Sequence, residues 1–115
     1  MRRDLELIKL LLQEAEEEQP KPDLSGYTEE AILYHLVLME DADLIVAKFV
    51  FASSGRAVAA NVRRLTNMGH DFLDAARNDT IWAQFKERVK RVGGSLSISL
   101  AVEVLKGLVR ENLDR

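Results

Sequence analysis

The sequence predicts a mainly helical domain carrying one β-hairpin, and three features of the chain point to it. Apolar residues recur at helical spacing through several segments. Residues 44–52 instead are rich in Ile, Val and Phe, and a second stretch over 58–65 returns after Ser53-Ser54-Gly55-Arg56, the pattern of two strands joined by a turn. The segment ends carry residues that cap helices or turn the chain. With 115 residues, 47% of them hydrophobic, the chain suffices for one domain with its own core.

The first helix is expected over 4–18. Leu5, Ile8, Leu12 and Ala15 form its stripe, and Leu7, Leu10 and Leu11 widen the apolar arc beyond half the circumference. Such a helix packs on two sides or is shared with a second subunit. Pro20 and Pro22 end it, and residues 19–27 form a linker that turns at Ser25-Gly26. Thr28 is the expected N-cap of the second helix, followed by Glu29 and Glu30 where the helix dipole favours acids. This helix should end near Ala42 or Asp43. Strands are expected over 44–52 and 58–65. Thr66 then caps a helix running to about Asn78, and Asp79 caps another that starts at Thr80. In the latter, Ile81, Trp82, Phe85, Val89 and Val92 make a narrow apolar stripe, while Lys86, Arg88, Lys90 and Arg91 occupy the other faces. The spacing of Trp82 with Phe85 and Val89 assigns it to the core. Gly93-Gly94 breaks the chain before a last helix over 95–112.

The order is helix, helix, hairpin, helix, helix, helix. A helix leading directly into a two-stranded hairpin marks a winged helix, with residues 53–57 as the wing. Residues 1–92 are read as the winged-helix-like domain. Residues 93–115 are read as a C-terminal helical extension that packs on that domain or on a second subunit.

The chain contains no cysteine, which excludes disulfides, thiolate catalysis and cysteine-ligated zinc. It has neither an apolar signal segment nor a run of about 18 apolar residues, so a cytoplasmic protein that does not span a membrane is expected. Net charge is −3, so nucleic-acid binding would need a local basic patch.

The pre-hairpin helix sits where winged helices place their DNA-reading helix. Residues 28–42 contain no Lys or Arg but four acids, Glu29, Glu30, Glu40 and Asp41. A helical wheel turns Ala31, Ile32, His35, Leu36, Leu38, Met39 and Ala42 inward and Leu33, Tyr34 and Val37 outward. Duplex affinity comes largely from cations on phosphates, and base reading from Arg, Lys, Asn or Gln. An apolar patch with an acidic rim suits a protein partner better. Leu33, Tyr34, Val37, Glu30 and Asp41 are therefore the candidate interface residues of a non-enzymatic protein-interaction module. The alternative is a DNA-binding transcriptional regulator that holds double-stranded DNA with Arg56 at the wing tip, Arg63 and Arg64 on the second strand, and Lys86, Lys90 and Arg91 on the late helix.

Catalytic chemistry finds little material. His70-Asp71 matches a metal-binding pair, yet the chain has only two histidines, and such sites need further ligands. His35 lies toward the inner face of another helix and is read as a hydrogen-bonded core residue. Asp71 and Asp74 share a helix face, whereas Asp79 has a sufficient job as a cap. No Gly-rich phosphate loop and no activated serine context is present. No catalytic residue, metal or cofactor is expected. Both terminal helices carry more apolar surface than one small core needs, so they are expected to pack together and to form a two-fold homodimer.

Two local stretches resemble winged-helix regulators. They are Tyr34-His35-Leu36 through Asp43-Leu44-Ile45, with Asp43 where a left-handed glycine is usual, and Leu65-Thr66 through Gly69 to Phe72-Leu73. The whole chain is similar to the bacterial and phage family named domain of unknown function 2513. The similarity rests on residues 2–8, on Tyr34-His35-Leu36, on Leu65-Thr66, and on Gly69-His70-Asp71-Phe72-Leu73-Asp74-Ala75. Arg77, Asp79-Thr80-Ile81-Trp82 and Gly93-Gly94 complete it. The resemblance implies a prokaryotic or phage setting and carries no established activity.

Overall fold

The computed structural model describes residues 3–94 and 96–113. Its elements run α1 (Leu5–Ala15), α2 (Glu29–Asp41), β1 (Ile45–Phe51), β2 (Ala57–Leu65), α3 (Asn67–Arg77), α4 (Asp79–Arg91) and α5 (Ile98–Leu113). The chain is thus mainly helical with one antiparallel two-stranded hairpin, in the winged-helix-like order that the sequence predicts.

The caps follow the local chemistry. Asp4 accepts from the Leu7 N–H, Thr28 from Ala31 and Thr66 from Gly69, each satisfying a first-turn donor that has no partner within its helix. Asp79 is not the cap of α4. Asn78 holds that place, its side-chain Oδ1 accepting from Ile81 N–H at 3.0 Å, and Asp79 is the first helical residue. The two helices abut so closely that Asn78 ends α3 and starts α4. The first helix stops at Ala15 rather than reaching Glu18, because Glu17 turns left-handed at φ 55°. The expected start of the last helix, Ser95, lies outside the described residues, as does Arg2. Within them, the Ser97 hydroxyl accepts from Leu100 N–H at the start of α5.

The hairpin curls over α2. β1 turns Ile45, Ala47 and Phe49 inward, and β2 turns Leu65, Val62, Ala60 and Ala57 inward. The pairing runs from Ile45 opposite Leu65 to Phe51 opposite Ala57, with irregularities between Val46 and Ala47 and between Val50 and Phe51. Each gives β2 one extra residue, a bulge that bends the strand.

A single core joins all the helices to the base of the hairpin. α3 lies at its centre, packing on α1, α4, α5 and β2. α1 packs chiefly on α2, α3 and β2, and α5 on α3 and α4. The two terminal helices therefore meet through α3 and do not form the mutual pair expected from their broad apolar arcs. Trp82 is buried as expected, stacked on Phe85 at 4.9 Å and edge-on to Phe72 at 6.3 Å. Its indole N–H donates to Glu6 Oε2 at 3.0 Å, and Lys9 Nζ lies 5.0 Å from its ring centre.

Candidate functional site

Two polar joints place α2. At its middle, His35 is 1% exposed. Its Nδ1 lies 2.7 Å from the Ala31 carbonyl, and its Nε2 accepts from the Asp4 N–H at 2.8 Å. One nitrogen must donate and the other accept, so the ring is the neutral tautomer with the proton on Nδ1. Tyr27 closes this corner; burial, and then the charge and hydrogen bonding of Asp4, push its hydroxyl above the usual phenol range.

At the end of α2, Asp43 is left-handed at φ 60°, the conformation expected from its place where the resembled winged-helix stretch has glycine. The Thr66 hydroxyl donates to the Asp43 carbonyl, and the Thr66 N–H donates to the Leu44 carbonyl at 3.0 Å. Gly69 packs directly beneath this turn. A Cβ there would fall 2.0 Å from the Leu44 oxygen, so only glycine lets α3 approach. A third tie was not legible in the sequence. Glu40 Oε2 accepts from the Ala47 N–H at 2.8 Å, occupying the outer edge of β1 where a further strand would pair.

These joints fix which side of α2 faces outward. Ala31, Ile32, His35, Leu36, Leu38, Met39 and Ala42 belong to the core or pack against it. Leu33, Tyr34 and Val37 are half-buried and lie outside the core cluster. Glu29, Glu30 and Asp41 are exposed around them. The Tyr34 ring stands edge-on to the His35 ring at 5.5 Å.

The predicted basic residues are exposed but do not form one group. Arg56 lines a cleft between the wing and the start of α2 together with Glu29, Glu30, Leu33 and Val58. The wing-tip cation therefore sits beside carboxylates, which weakens the local field available to a phosphate. Arg63 and Arg64 lie lower on β2, and the Arg64 guanidinium donates to the Leu65 carbonyl. Lys86 and Lys90 face a separate cleft beside Arg3, Asp4 and Glu6. Arg91 lies on another side of α4 with Arg88 and Glu87, and Arg88 pairs with Glu111 at 3.3 Å.

His70 and Asp71 do not gather metal ligands. His70 Nδ1 lies 2.9 Å from Glu16 Oε1, tying α1 to α3, while Asp71 points from an exposed position. Among the described residues, no group of three or more His, Asp or Glu is placed to hold a metal ion. No helix among them is long and apolar enough to cross a membrane.

Several of the residues that carry the family resemblance sit at contacts between elements. Asp4 meets His35, Glu6 meets Trp82, and Thr66 and Gly69 meet the turn at Asp43 and Leu44. Comparison with known proteins agrees. The family model described as "Hypothetical protein (DUF2513)" matches residues 2–95. A protein of Haemophilus influenzae described as "Uncharacterized protein" is 31% identical over 119 residues, spanning 98% of this chain and 99% of that one. No solved structure matches. With the family model spanning most of its length and a relative covered almost end to end, the chain belongs to the family of domain of unknown function 2513.

Proposed function

We propose that this protein is a non-enzymatic protein-interaction module whose contact surface is the outward side of α2. The observation that carries the reading is the position of Leu33, Tyr34 and Val37. They are half-exposed, outside the core, and ringed by Glu29, Glu30 and Asp41, with no Lys or Arg anywhere in the helix. Apolar side chains of this kind gain by leaving water against a partner. The acidic ring selects a partner with basic residues around its own apolar contact and repels nucleic-acid phosphate. A bacterial setting belongs to the same reading and is supported by the Haemophilus influenzae relative.

The rival is a DNA-binding regulator working through the hairpin and α4, and the exposure of Arg56, Arg63, Lys86 and Lys90 favours it. The split of Arg56 from Lys86 and Lys90 into two clefts, each also lined by acids, ranks it second.

Affinity capture with the purified chain tests the leading reading. A specific protein partner should bind the wild type and be lost on Leu33→Asp with Val37→Asp, while circular dichroism and melting temperature stay unchanged. Retention of every bound partner by that folded variant would place the contact elsewhere.

A further inference from the structure

A groove of about 420 Å³ runs between α3 and α5, away from the α2 surface. Its floor is apolar, formed by Phe72, Ala75, Ile81, Val102 and Leu105. Its two rims carry opposite charge: Asp71 and Asp74 on α3, Lys106 and Arg110 on α5. All four rim residues are exposed. Val109 is half-buried at the groove edge. Leu113, four residues on and so on the same side of α5, is 76% exposed. α5 therefore presents an edge of Val109 and Leu113 flanked by Lys106 and Arg110. The groove beside it offers an apolar floor with an acidic far rim.

We propose that this groove packs against the same groove of a second copy of the chain, in a two-fold dimer whose axis runs along the groove. Rotation about such an axis carries the α5 rim of one copy over the α3 rim of the other. Lys106 and Arg110 of each copy then face Asp71 and Asp74 of its mate, and both contacts form twice. α5 of each copy packs against α3 of its mate, and Val109 and Leu113 leave water. An axis crossing the groove would set like charges together and is disfavoured. Asp74 already meets Arg77 at 3.0 Å, and Lys106 meets Glu103 at 3.8 Å. Both are exposed pairs within one helix, worth little and readily exchanged for contacts across an interface.

The dimer adds a second surface to the interaction module and uses no residue of α2. Failure of either reading therefore leaves the other standing. Sedimentation equilibrium on the full chain tests it. The wild type should show twice the chain mass. Asp71→Lys with Asp74→Lys, and separately Lys106→Glu with Arg110→Glu, should each weaken association by about tenfold or more. A one-to-one mixture of the two variants should associate again, because each supplies the charge the other lacks. Leu113→Glu, which leaves both rims intact, should also be monomeric. A wild type that stays monomeric at all concentrations overturns the proposal. So do charge-reversed variants that remain dimeric, or variants whose mixture does not re-associate.

Discussion

At the scale of single residues, His35 shows how a polar side chain can specify an interior. Its two ring nitrogens serve two backbone groups, one in its own helix and one at the start of α1. Replacing it with Phe keeps much of the shape but leaves the Asp4 N–H without an acceptor. The expected cost is about 1–3 kcal/mol of folding stability, read as a lower urea midpoint with an unchanged slope. An unaltered midpoint would mean that water replaces the ring. The burial of His35 was legible from its place on the helical wheel, but its partner 31 positions away was not, because periodicity reports a face and not what lies against it. The left-handed turn at Asp43 was likewise legible, from the position where glycine is usual. The demand on Gly69 was not, since it arises from the Leu44 carbonyl of a different element.

At the scale of elements, type and order follow from periodicity and caps, whereas ends depend on geometry that the pattern does not encode. Asp79 and Asn78 are both good caps, and the choice between them rests on which side-chain oxygen reaches the Ile81 N–H. The hairpin was visible as a run rich in Ile, Val and Phe followed by a turn, but its two bulges were not. Glu40 was read only as one more acid on α2, and the structure gives it a further task at the strand edge. If its carboxylate covers the outer edge of β1, Glu40→Ala should speed hydrogen exchange at the Ala47 amide while the amides paired with β2 keep their protection. Equal exchange in the two proteins would show that Ala47 is shielded by something else. The outer hairpin surface retains Val50 and Phe51, which are 60% and 54% exposed, so a guarded edge also limits unwanted strand pairing.

At the scale of the whole molecule, the sequence-based reading of two terminal helices packed on each other gave way to α3 standing between them. Broad apolar arcs identify helices with two neighbours, yet they do not say which neighbours. The same holds for charge. Arg56, Arg63, Arg64, Lys86, Lys90 and Arg91 form a basic set when read along the chain, but in space they divide between the hairpin and α4, with acids interleaved. The outward side of α2 is the reverse case, since its acids and half-exposed apolar residues converge on one surface. Titration of the chain against random-sequence duplex DNA at low ionic strength, followed by fluorescence anisotropy, tests this charge arrangement most directly. The predicted result is a flat titration at every salt concentration. Tight binding that weakens steeply with added salt, and that is abolished by changing Arg56, Arg63 and Arg64 to Ala, would contradict it.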